Sequence, residues 1–66
     1  MEPYQERMLV ELKEISERTE KLQDFIESDK IKGMPIEKLD LLLKQYHHMT
    51  MYEHVLRLRC GQEGIL

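Results

Sequence analysis

Sixty-six residues with a formal charge of −3 and a hydrophobic share of 41% describe one small domain. That share excludes a disordered chain, and the lone Cys60 excludes an intrachain disulfide. No apolar run approaches the roughly 18 residues of a membrane span, and the N-terminus has no apolar core of signal-peptide length. A single thiol fits a reducing interior, so the expected location is the cytoplasm. The charge is uneven. Residues 1–28 hold eight acids against four Lys/Arg, residues 29–60 hold four acids against six, and Glu63 adds the last negative charge. A protein that grips duplex phosphates shows a clear basic excess, so DNA is not an expected partner.

The first predicted element is a helix over about residues 3–28, closing at Ile26 or Ser28. Pro3 suits its first turn, where the missing N–H costs nothing, and Glu2 and Glu6 favour the positive end of the helix dipole. Met8, Leu12, Ile15, Thr19, Leu22 and Ile26 recur at steps of four and three. Glu14–Arg18 and Glu17–Lys21 stand four apart in the favourable order, as on a solvated outer face.

Residues 29–34 form the turn. Gly33 can take a positive φ, and Pro35 then opens a second helix over about residues 35–60 with Glu37 in its first turn. Gly61 is the expected stop, and residues 61–66 are expected to form a flexible tail. Leu39, Leu42, Tyr46, Met49, Glu53 and Leu56 repeat the same spacing. Two such tracts predict an all-α antiparallel two-helix hairpin.

A lone hairpin covers only one stripe of each helix. Leu41 and Val55 lie to one side of the second seam, Leu43 and Leu58 to the other. Chains below roughly 70–80 residues usually need disulfides, a metal or oligomerisation, so a symmetric oligomeric bundle is expected. Thr19 and Glu53 interrupt the seams. Either they tune register or oligomer state, as single polar core positions do, or Glu53 sits at a wet junction between protomers.

Metal and catalytic chemistry find little support. His47, His48, His54, Glu53 and Cys60 are ligand types, but no Glu-x-x-His, CxxC or HExxH spacing occurs. Cys60 sits at a helix C-terminus, where the dipole does not stabilise a thiolate. Ser16 and Ser28 have no nearby histidine, and glycine-rich phosphate loops are absent. No metal, no cofactor and no enzymatic activity are therefore expected.

The remaining constellation lies at the open end. Gln45, Tyr52 and Arg59 are spaced by seven and line one side of the second seam. With equal rise in both helices, a turn near Ile31 sets Tyr4 level with Leu58 and Arg7 level with Val55. Tyr4, Arg7, Tyr52, Arg57 and Arg59 then gather within about two turns. Tyrosine offers a stacking face and arginine a planar fork for phosphate, a mixture suited to a small anionic nucleotide. The same residues are enriched in ordinary protein interfaces.

The ordered set Tyr4-Gln5-x-Arg7, Leu12, Lys21-Leu22-x-x-Phe25-Ile26-x-Ser28, followed by Leu41-Leu42, Gln45, Met49, Tyr52, Leu56 and Arg59, resembles a family of very short bacteriophage proteins. These are similar to the helical-hairpin domain of phage anti-defence sponges, the anti-CBASS and anti-Thoeris proteins. The resemblance spans about residues 4–59. It implies a homo-oligomer, hexamers among the precedents, that binds a small cyclic nucleotide or cyclic ADP-ribose-type signal without cleaving it. It further implies base stacking by an N-terminal aromatic, for which Tyr4 fits, and a basic phosphate partner, Arg7 or Arg59, with Lys21 a further candidate. Two features depart from the pattern: the extension Gly61–Leu66 and the His47-His48 pair. The contrasting expectation is a structural or adaptor coiled coil that binds a host or phage protein through its apolar flank.

Overall fold

A computed structural model describes all residues from Met1 to Leu66. Two helices, α1 (Pro3–Ile26) and α2 (Ile36–Gln62), run antiparallel and are joined through a single 3₁₀ turn at Asp29–Ile31. There are no strands. The hairpin is a rod of 48 × 15 × 14 Å. Its radius of gyration is 14.8 Å, against about 11 Å for a compact domain of this length.

Each boundary has a local cause. Glu2 precedes α1 in an extended conformation, and its N–H donates to Gln5 Oε1 at 2.9 Å, satisfying a donor the helix itself leaves free. At the other end the Ser28 hydroxyl donates to the Phe25 carbonyl at 2.7 Å and accepts from the Lys30 N–H at 3.2 Å. That pair of bonds closes α1 and opens the 3₁₀ turn. Gly33 takes φ 81°, the left-handed conformation expected of it. The Pro35 carbonyl accepts from the Lys38 and Leu39 N–H groups, each at 3.0 Å, so Pro35 caps α2 from just outside.

The C-terminal end differs from the sequence expectation. Gly61 does not stop α2, which runs on to Gln62. The stop is Gly64, at φ 72°. Its N–H donates to the Gly61 carbonyl at 3.1 Å, and the Ile65 N–H donates to the Cys60 carbonyl at 3.2 Å. This is a Schellman closure, in which an apolar residue after the glycine usually packs back on the helix. Ile65 does so, lying half-buried against the core. One extra turn places Ile65 over Cys60, which a stop at Gly61 could not do. Residues 61–65 therefore belong to the folded hairpin, and the expectation of a flexible tail over 61–66 is corrected for them.

All twelve seam positions are buried or half-buried. The fully buried core is short and sits toward the open end: Met8, Leu12, Leu56 and Cys60, with Leu9, Ile15 and Ile65 packed around it. Thr19, the buried polar seam residue, donates its hydroxyl to the Ile15 carbonyl at 2.7 Å, so no unsatisfied group is left inside. Glu53 is half-exposed and pairs with Arg57 at 3.0 Å.

The outer side of α2 is different. Leu41, Met51, Val55 and Leu58 are exposed, Leu41 at 67%. Together with Lys44 and His48 they recur at steps of three and four. They form a second heptad stripe roughly 160° around the helix from the buried one, so Leu58 lines up with Leu41 and Val55 on the outer face rather than beside Leu43. No helix of this structure is long and apolar enough to cross a membrane.

Candidate functional site at the open end

The buried seam continues for one further rung beyond its apolar core. Tyr4 stands four residues before Met8, and Glu63 three residues after Cys60. The Glu63 step keeps the heptad; on α1 the heptad position is half-buried Gln5, three residues before Met8, and exposed Tyr4 lies one position to its side. The Tyr4 hydroxyl donates to Glu63 Oε1 at 2.6 Å. The Gln5 Nε2 donates to the same oxygen at 2.9 Å, while Gln5 Oε1 accepts the Glu2 N–H. Gln5 thereby ties the start of α1 to the end of α2.

Tyr4 thus meets Glu63, five positions beyond the Leu58 that equal rise places opposite it. Side chains on a helix lean toward its N-terminus. In an antiparallel pair that sends Tyr4 toward the open end and Glu63 back toward the turn.

Charge at this rung is arranged around Glu63. A carboxylate at the C-terminal end of a helix faces the negative end of the dipole. Donation from Tyr4, then from Gln5, and the nearby Arg59 charge nevertheless hold the Glu63 carboxyl below the usual glutamate range, with desolvation opposing. The same hydrogen bond, with desolvation and the Glu63 charge behind it, raises the Tyr4 phenol above 10.0. The signs fix a pH window. The Glu63 contribution to stability is present above its unfolded value of 4.5 and is lost as pH falls through the lowered folded value. The Tyr4 contribution is present below 10.0 and is lost as pH rises through the raised one. Melting midpoints followed from pH 2 to 6 for the native chain and Glu63→Gln should converge at the acid end of this series and separate above it; parallel curves would show that Glu63 carries no linkage.

The five sequence-derived candidates do not form one cluster. Tyr4 donates to Glu63, and the Arg59 charge lies near the same carboxylate without an ion pair. Tyr52 is exposed at 47% and lies two turns from Arg59 on the same line of α2. Arg57 is occupied by Glu53. Arg7 lies on the outside of α1, in a shallow open concavity shared with Pro3, Glu6, Val10, Glu11 and Glu14. Three carboxylates against one guanidinium make that concavity a poor seat for a phosphate. The rings of His47 and His48 meet edge to face at 5.6 Å, and no group of three or more potential metal ligands comes together. Gln5 and Glu63 are the participants that sequence reasoning overlooked. The signal for Glu63 was its heptad step from Cys60.

These features define the class as a short all-helical hairpin protein whose polar residues converge at one end. A family model described as Sequestin matches residues 2–61, and the chain belongs to the Sequestin family. This agrees with the resemblance to sponge hairpins, and the family's name denotes sequestration, a binding rather than a catalytic role. No curated protein and no solved structure matches the chain.

Proposed function

We propose that this protein is a bacteriophage anti-defence factor that binds a cyclic nucleotide immune signal in the host cytoplasm and withholds it, uncleaved, from its effector. Membership of the Sequestin family over residues 2–61 is the observation that carries the reading. Two physical features support it. The open end offers Tyr4 with an exposed ring and Arg59 with no carboxylate in ion-pair reach, a stacking face and a phosphate fork. The exposed stripe of α2 leaves apolar area that the hairpin cannot cover by itself. Stacking hairpins side by side buries it and sets open ends next to one another, forming ligand pockets between protomers of a homo-oligomer, a hexamer being one closed arrangement. Arg7, Arg57 and Tyr52, which do not meet Tyr4 within one hairpin, then reach a pocket from neighbouring copies.

Ultrafiltration tests the proposal. The purified protein is mixed with a panel of cyclic di- and trinucleotides and cyclic ADP-ribose isomers, and the filtrate is assayed before and after heating. One panel member should vanish from the filtrate and return intact on heat denaturation. Depletion of none would sink the reading and favour an adaptor coiled coil. Return as a hydrolysis product would sink the non-catalytic part.

A further inference from the structure

We infer that the Tyr4 hydroxyl, the Gln5 amide and the Arg59 guanidinium form a receptor for one phosphodiester oxygen, and that Glu63 is its built-in occupant, expelled when ligand binds. The inference rests on the reading of the chain as a nucleotide binder.

Two donors from α1 converge on one anionic group of α2, and the Arg59 charge lies near it. Tyr4 and Gln5 both address Glu63 Oε1, at 2.6 and 2.9 Å. Gln5 cannot turn its acceptor toward that point, because its Oε1 already receives the Glu2 N–H at 2.9 Å. Its NH₂ is therefore fixed outward as a donor whether or not Glu63 is present. Arg59 lies one helical turn before Glu63 and makes no ion pair. A phosphodiester carries the same single charge as a carboxylate and only acceptor oxygens. It can take the same bonds, with Arg59 adding a bidentate contact that Glu63 does not use.

Glu63 is suited to leave. It sits after the last residue of α2, exposed, at the unfavourable end of the helix dipole. Rotation about its own side-chain bonds returns the carboxylate to water without moving the Schellman cap, whose bonds are all backbone. Until it leaves, it repels any second anion at Arg59. Glu63 thereby sets a threshold that weak anions do not pass, while a nucleotide that also stacks on Tyr4 does.

The test uses the full chain in two arms. In the first, the affinity of whichever panel member is depleted is compared between the native protein and Glu63→Gln. Removing the competing charge should tighten binding about tenfold, the equivalent of 1.4 kcal/mol; unchanged or weaker binding overturns the inference. The second arm does not depend on the cyclic nucleotide reading. Inorganic pyrophosphate is titrated into isotope-labelled protein while the Gln5 side-chain amide is followed by NMR. The amide signals should move at lower pyrophosphate concentration in Glu63→Gln than in the native chain, and at higher concentration in Arg59→Gln, whose exposed side chain makes no hydrogen bond or ion pair within the chain. Signals that stay still, or move identically in all three proteins, overturn the inference even if a cyclic nucleotide binds. Movement in the expected order upholds it even if no panel member does.

Discussion

Leu56→Asp abolishes the cooperative unfolding transition of this protein. Leu56 is 3% exposed and stands in the four-residue core with Met8, Leu12 and Cys60. An aspartate there either buries an unpaired carboxylate, at several kcal/mol, or forces the open end apart. A core this small supplies no more than about 3–5 kcal/mol of net stability, so one such change removes all of it. Leu56→Met, nearly equal in volume, should cost under about 1.5 kcal/mol and keep the transition. Far-UV circular dichroism against temperature separates the two, and a sharp native-like melt for Leu56→Asp would show that the core lies elsewhere.

The second large effect concerns assembly. Leu41→Glu combined with Val55→Glu should reduce the protein to its 8.0 kDa protomer. Both residues are exposed on the second stripe of α2, at 67% and 51%, and neither belongs to the core within one hairpin. Carboxylates placed there have no cost in an isolated hairpin but must be desolvated in a bundle. Sedimentation velocity reads the outcome. An oligomer that persists in the double variant would show that copies meet through another face. A native chain that sediments as a stable protomer would refute assembly itself.

The hairpin was legible because its determinants are local and periodic. Twelve residues at steps of three and four placed both seams, and Gly33 with Pro35 placed the turn. Gly61 and Gly64 were harder to separate as stops, since either glycine can adopt the closing conformation. What decides between them is Ile65, whose packing over Cys60 outweighs the roughly 1 kcal/mol that a glycine costs inside a helix. The open end was legible only in outline. Equal rise along two rods brought Tyr4 and Arg59 to the same end, but it ignores the lean of side chains. That lean, with the extra turn of α2, makes Glu63 the residue Tyr4 meets. The pairing of Arg57 with Glu53 was legible as a favourable step of four, the same spacing as Glu14–Arg18, and was overlooked.

The placement of the core has a kinetic consequence. Most hairpins can zip from the turn outward, gaining contacts as short loops close. Here the best-packed residues are those farthest from the turn, and Tyr4 and Glu63 are separated by 59 positions. Loop closure is entropically most costly for such pairs, and high contact order slows folding. The terminal rung therefore forms only when nearly the whole chain is committed. An intermediate zipped only near the turn lacks the Tyr4–Glu63 rung, and anything that clasps that end selects the fully closed hairpin.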